Sequence, residues 1–218
     1  MKIFSKSVVL LIVLASITFG QETADQSAKD KPLFGAYIGI GYAVLSGNLS
    51  DYVNNPFILP ITGDFIYKGF VAQLNVDAGY SRVKKTMFFN DGSSWREGGD
   101  VWHNALGVNV GYGVFNNMNL RVTPVVGYAY SYLASKWWGT SEISNNEPDT
   151  HNLTVGLLFD LKNVFSKKSA ESDDSDYLGL RISAGAYIPM SDADVYPNYF
   201  NGATIFISVG IINLSLLP

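Results

Sequence analysis

The sequence contains no cysteine and few charged residues, and both scarcities exclude classes of protein. Without cysteine, the 218-residue chain forms neither a disulfide framework nor a thiolate metal site. Charged residues make up 16% of the chain and the formal net charge is -4, which excludes the basic surface that nucleic-acid binding requires. The apolar run at residues 8–17 is too short for a membrane-spanning helix, and no later run is longer. Any residence in a membrane must therefore come from β-strands.

The N-terminal residues have the organisation of a secretory signal peptide. Lys2 and Lys6 precede the apolar run, and Thr18 and Gly20 provide the small residues of a cleavage site. We predict a signal peptide over residues 1–20, a polar N-terminal tail over 21–32 and a single β-barrel domain over 33–218. An uncleaved anchor is the alternative, and the shortness of the apolar run disfavours it.

The clearest pattern in the chain is the alternation over residues 101–134. Large apolar side chains occupy every second position and small or polar ones the positions between, which predicts two strands joined by a turn at residues 116–119. In the first strand the even positions are Trp102, Asn104, Leu106, Val108, Val110, Tyr112 and Val114, and the odd positions are His103, Ala105, Gly107, Asn109, Gly111 and Gly113.

The same alternation predicts eight strands in the whole chain. The other six cover residues 33–44, 61–67, 70–83, 151–162, 177–188 and 202–216. We expect a long loop over residues 45–60, in which residues 49–54 could form a helical turn. We also expect a tight hairpin at Lys68 and Gly69 and a β-bulge at Ile211 and Ile212. Long connections follow strands 1, 3, 5 and 7, and very short ones follow strands 2 and 4, which is typical of outer-membrane barrels. The long polar connection after strand 6 is the exception, and we interpret it as a periplasmic excursion.

The two faces of these strands predict what surrounds them. The small and polar face carries too few charges to meet water, so it fits the crowded interior of a narrow barrel, and the apolar face then meets lipid. A sheet in lipid must close, because unpaired backbone groups are costly there. The sequence therefore predicts an all-β fold, an eight-stranded antiparallel up-and-down transmembrane β-barrel. Residues expected to face lipid or a partner are Leu74, Val76, Leu106, Val108, Val126, Leu157 and Ile182.

Two further groups of side chains are placed by this alternation. The charged residues expected to face the lumen are Asp64, Asp77, Arg121, Asp160, Lys162 and Arg181. An eight-stranded barrel is just wide enough for side chains to fill, so we interpret them as a paired plug, with a gated conduit or proton path as the alternative. An aromatic girdle at the membrane interface is predicted from Trp102, Trp138, Tyr80, Tyr130 and Tyr132. A ligand platform in the outer loops is the alternative for these aromatic residues.

With its strands placed, the chain resembles the small outer-membrane β-barrels of Gram-negative bacteria, the OmpA-barrel and PorT-like group, over about residues 33–216. The resemblance implies export, insertion into the bacterial outer membrane and contact with its lipid. The expected function is a non-enzymatic structural, anchoring or accessory subunit of a larger outer-membrane complex. One departure from the group is the C-terminal sequence Leu214-Ser215-Leu216-Leu217-Pro218, where an aromatic residue usually serves as the insertion signal.

Two other functions remain open at this point. His103 is expected to face inward and His151 outward, and either could serve a lipid-modifying outer-membrane enzyme at the outer rim. Neither histidine lies in a recognised catalytic motif, the carboxylates show no metal-ligand spacing, and no cofactor is predicted. The remaining alternative is a soluble lipocalin-like barrel that holds an apolar ligand, in which the apolar face would point inward.

Overall fold

The computed structural model describes residues 32–89, 94–135, 148–165, 177–190 and 202–216. The predicted signal peptide, residues 21–31 of the predicted tail and Trp138 lie outside these residues. Within them no helix has the length and apolar character needed to cross a membrane.

The described residues form eleven strands and one short helix. In chain order these are β1 (Leu33–Leu45), α1 (Leu49–Tyr52), β2 (Phe57–Tyr67), β3 (Phe70–Arg82), β4 (Met87–Phe88), β5 (Ser94–Trp95), β6 (Asp100–Tyr112), β7 (Phe115–Asn116), β8 (Leu120–Ala134), β9 (Asp149–Leu161), β10 (Tyr177–Pro189) and β11 (Thr204–Leu216). The eight strands of eleven or more residues build the main sheet, and the three two-residue strands lie in the connections.

The main sheet closes on itself. Each long strand pairs antiparallel with the long strands before and after it in the chain, including β6 with β8, and β1 pairs with β11 from Leu33 opposite Leu216 to Leu45 opposite Thr204. No long strand is left with an unpaired edge. The predicted eight-stranded antiparallel up-and-down barrel is confirmed.

The alternation places the small and polar residues inside the barrel. Gly107 is buried at the inner wall, whereas Leu74 and Val108, which are paired across β3 and β6, are more than half exposed on the outside. The predicted assignment of the two faces is therefore correct. Glycine is common on the inner side because the opposite backbone comes close, and at Gly127 a Cβ atom would overlap the carbonyl oxygen of Val108 and the side chain of Asn109.

The hairpin between β2 and β3 turns at Lys68 and Gly69, as predicted. Both residues have positive φ, 50° and 83°, as the type I′ turn requires. Glycine adopts this conformation without strain, and a β-hairpin of this turn type has the twist of the strands that it joins.

Two strand predictions were wrong in detail. β2 begins at Phe57 rather than at residue 61, because Pro60 does not end the strand. Pro60 pairs with Asp77 of β3, and only the pairing with β1 is interrupted at this position. The bulge predicted at Ile211 and Ile212 is absent, because the two residues pair in unbroken register with β1. Ile212 is on the inner face, where it is fully buried in an apolar cluster at the short-turn end. An apolar residue on the inner face follows the apolar Ile211 on the outer face, and this pair looks like a break in the alternation.

A cap covers the long-loop end of the barrel, and the sequence did not predict it. Helix α1 and the hairpin of β4 and β5 contribute to an apolar cluster with the ends of the barrel strands. Its buried members are Leu45, Leu49, Val53, Val83, Met87, Phe89, Trp95, Val101 and Leu133. Residues 49–52 of the expected long loop form helix α1, and its Leu49 belongs to this cluster. This apolar cluster, hereafter the cap, fills part of that end with side chains.

The close approach at Gly127 yields a stability prediction. We expect Gly127→Val to lower the free energy of unfolding by about 1–3 kcal/mol, because the added side chain overlaps the neighbouring strand. Gly63→Val is the matched control, since a Cβ atom at Gly63 meets nothing within 4 Å. Urea unfolding of the protein folded in detergent micelles measures both, and equal effects would contradict the crowding argument.

Candidate functional site

Four charged side chains meet inside the barrel. Arg181 Nη2 lies 2.6 Å from Asp64 Oδ2, and Arg181 Nε lies 2.6 Å from Asp160 Oδ1. Arg121 Nη2 lies 2.5 Å from the other oxygen of Asp160. All four residues are at most 5% exposed. This charge quartet contains two acids and two bases, so its formal charges balance.

The register of the strands explains why the quartet forms. Asp160 of β9 is paired directly with Arg121 of β8 and with Arg181 of β10, and all three side chains point inward. Asp64 comes from β2, which is separated from β10 by β1 and β11, so the quartet crosses the lumen. A buried charge is tolerated when it is paired and hydrogen-bonded, and each carboxylate here receives an arginine.

Polar side chains extend the quartet along the lumen. Tyr177 donates its hydroxyl to Asp160 at 3.0 Å, and Gln73 Nε2 donates to Asp64 at 2.9 Å. Asn109 Nδ2 then bridges Gln73 Oε1 at 3.0 Å and Asn75 Oδ1 at 3.3 Å. The lumen around the quartet is therefore filled by hydrogen-bonded side chains.

The other two predicted lumen charges lie apart from the quartet. Asp77 lies toward the long-loop end and accepts a hydrogen bond from the Tyr187 hydroxyl. Lys162 lies in the turn after β9, where its Nζ donates to Asn116 Oδ1 at 2.6 Å and sits 5.5 Å from the centre of the Tyr177 ring. Alternation along a strand gives the face of a residue but not its height in the barrel, so the six charges could not be sorted from the sequence.

Two cavities remain between the quartet and the cap. The smaller, of about 30 Å³, is lined by Arg181, Asn109 and Thr154 among others. The larger, of about 80 Å³, lies directly beneath the cap. Asp77 and Tyr187 border both cavities. The lumen is thus filled at the quartet and incompletely filled above it, which differs from the paired plug of all six charges that we expected.

The two histidines lie on opposite sides of the barrel wall, as their alternation predicts. His103 Nε2 lies 2.7 Å from Ser81 Oγ beside the larger cavity. His151 is exposed on the outside, where its Nδ1 contacts the Tyr128 hydroxyl and its ring lies against Tyr130. In the described ranges no carboxylate contacts either imidazole, and no group of three or more His, Asp or Glu is arranged to hold a metal ion.

Four of the five predicted girdle residues are described, and they lie toward the long-loop end. Tyr80 packs against Trp102 with ring centres 5.2 Å apart, and Tyr130 packs against Tyr132 at 6.2 Å. Two of these tyrosines donate hydrogen bonds to acids at that edge, Tyr80 to Asp100 at 2.6 Å and Tyr130 to Asp149 at 2.8 Å. The rings of Tyr80 and Tyr130 therefore each have an apolar body on the barrel wall and a hydroxyl directed toward an acid.

The sequence matches no protein-family model and no curated protein sequence. Among solved structures, the chain is similar to Neisserial surface protein A (10% identity, 84% of this chain and 96% of that one, TM-score 0.48). It is also similar to Ail, the attachment invasion locus protein of Yersinia pestis (10% identity, 85% of this chain and 99% of that one, TM-score 0.47). A third similar structure is the outer membrane protein OprG from Pseudomonas aeruginosa (10% identity, 86% of this chain and 96% of that one, TM-score 0.46). Likeness at this level of identity concerns the barrel shape alone.

The quartet yields the second prediction. We expect Asp160→Asn to lower the free energy of unfolding by about 3–5 kcal/mol, because it leaves two buried arginines with one carboxylate between them. Asp100→Asn is the matched control, since Asp100 pairs with Arg82 at 3.8 Å on the exposed rim and such pairs contribute little. Urea unfolding in detergent micelles compares the two variants, and a small loss for Asp160→Asn would show that the quartet is not a stability determinant.

Proposed function

We propose that this protein is a non-enzymatic β-barrel of the bacterial outer membrane that acts as a structural or anchoring component, or as an accessory subunit of a larger outer-membrane complex. The observation that supports residence in a membrane is the apolar belt. We define the belt as the outward positions of the eight long strands between the short turns and the rim acids Asp100 and Asp149. In the described strands these positions hold no Asp, Glu, Lys or Arg. Its exposed members include Ile38, Ile40, Leu59, Ile61, Leu74, Val76, Leu106, Val108, Val110, Val126, Leu157, Ile207 and Val209.

The dimensions of the belt fit a bilayer. The outward residues of β3 run from Phe70 at one edge to Tyr80 at the other, about 25 Å along the barrel axis for a rise of about 3.3 Å per residue and a tilt of about 40°. The apolar band of outer-membrane barrels is about 25 Å tall and carries aromatic residues at both edges. Here Tyr80 packs against Trp102 at one edge, and Phe70 packs against Tyr112 at the other.

The geometry favours this function over the two alternatives. A soluble carrier of an apolar ligand needs its apolar face inside, but in this barrel that face is outside and the quartet occupies the interior. Water around the belt would meet a continuous apolar surface far larger than soluble monomers expose. A lipid-modifying enzyme needs a nucleophile, a base and an orienting group in contact, and among the described residues the Ser81 and His103 pair has no acid beside it.

A pair of equally exposed residues tests residence in a membrane. Val108 lies in the middle of the belt and Met118 lies in the short turn between β6 and β8, and each is 56% exposed. We expect Val108→Arg to destabilise the folded barrel by about 2–4 kcal/mol in lipid, because a charge then faces the hydrocarbon. Met118→Arg should fold as the parent does. The folded fraction in lipid vesicles is measured for both, and equal tolerance of arginine would contradict a lipid-facing belt.

Cross-linking tests membership of a larger complex. Outward small residues permit close approach of another protein, and two of them, Ala184 and Ala186, lie together on β10. Because the chain lacks cysteine, a single cysteine can be placed at Ala184, with the exposed Leu74 of β3, on the opposite side of the barrel, as the control. We expect an adduct with a second membrane protein from Ala184→Cys and none from Leu74→Cys, in intact cells and after extraction in mild detergent. Recovery of the protein always alone would contradict the accessory role and leave the anchoring role.

A further inference from the structure

The larger cavity has walls of two kinds. On the side of the lumen it is bordered by the polar residues Asp77, Asn152 and Tyr187, and on the side of the cap by Leu45, Leu49 and Leu133. Its volume of about 80 Å³ corresponds to about five to eight water molecules. We call this cavity the Asp77 chamber. It has room for a small molecule with one polar end and one apolar end.

Among the described residues, Asp77 is the acid of the lumen that has no cation beside it. Asp64 and Asp160 each form an ion pair with Arg181. In the described part of the chain Asp77 contacts no lysine or arginine, and its hydrogen-bond partner is the uncharged hydroxyl of Tyr187. The residue is only 8% exposed. A carboxylate in such a position is stabilised by a cation that enters the chamber.

We infer that the Asp77 chamber binds a small organic ammonium ion, with the ammonium group on the Asp77 carboxylate and a short alkyl part against the leucines of the cap. An inorganic divalent cation fits less well, because calcium and magnesium need about six oxygen ligands and Asp77 is the one carboxylate among the described residues that border the chamber. The apolar cap offers such an ion no ligands, but it offers an alkyl chain a surface. This inference goes beyond the proposed function and does not rest on residence in a membrane.

The test uses n-butylammonium as the probe and n-butanol, of equal size and no charge, as its comparison. Binding to the full chain folded in detergent micelles is measured by saturation-transfer NMR at fixed pH. We expect saturable binding of n-butylammonium, and binding of n-butanol weaker by about tenfold or more, because n-butanol cannot form a charge-assisted hydrogen bond. Equal binding of the two probes, or no saturable binding of n-butylammonium to the parent protein, would overturn the inference; the latter is the result for a chamber that holds only water.

Two variants and a control assign the binding to the chamber. Asp77→Asn keeps the shape of the side chain and an acceptor for Tyr187, and it should weaken n-butylammonium binding by about tenfold or more while leaving n-butanol unchanged. Ala105→Leu places a larger side chain at the wall of the chamber and should abolish the binding of both probes. Asp100→Asn, on the outer rim, should bind as the parent does. Parent-like binding by both chamber variants, with their folding verified by urea unfolding, would place the site elsewhere and overturn the inference.

Discussion

The structure depends on the pairing of β1 with β11, which joins the first long strand to the last. Thirteen residue pairs, from Leu33 with Leu216 to Leu45 with Thr204, satisfy the backbone groups that an open sheet would leave exposed at its edges. This closure fixes the number of strands and so the width of the interior. A narrow interior is the reason that glycine and other small residues occupy much of the inner wall, and Gly127 shows how little space remains there. The narrow interior of the closed barrel therefore requires small residues on the inner face. The apolar residues of the outer face depend instead on what surrounds the barrel.

Closure also determines how charge can be accommodated inside. Side chains that enter the lumen leave bulk water, so a charged residue there needs a partner across the interior. The quartet meets this condition because Arg181 reaches two acids at 2.6 Å, one on a neighbouring strand and one across the lumen. Register brings Arg121, Asp160 and Arg181 together, since the three residues are paired directly across β8, β9 and β10. The interaction that closes the lumen is therefore a consequence of strand pairing as well as of charge.

The number of strands, their order and the face of each side chain could be predicted from the sequence, because alternation with a period of two is a local property. Height in the barrel could not be predicted, since it depends on register and tilt, which link residues far apart in the chain. For this reason Asp77 and Lys162 were grouped with the quartet although they lie at opposite ends of it. The predicted start of β2 was too late because a proline can remain paired on one side of a strand, as Pro60 does. The bulge was predicted wrongly because the interior also contains an apolar cluster, to which Ile212 belongs. The cap could not be predicted because its residues come from separate connections and from the ends of three barrel strands, and they show no common period.

The layers of the lumen differ in how they exclude water. Around the quartet, exclusion comes from matched charges and amides, which pack tightly because each hydrogen bond fixes the distance between its partners, and the apolar cluster around Ile212 fills the short-turn end below them. Near the long loops, exclusion comes from apolar side chains of the cap, which have no preferred direction of contact and meet the polar layer below without bonding to it. The space in the upper lumen is left where this polar layer meets the cap. The chamber of about 80 Å³ lies at that boundary, and Asp77, the acid without an arginine, borders it.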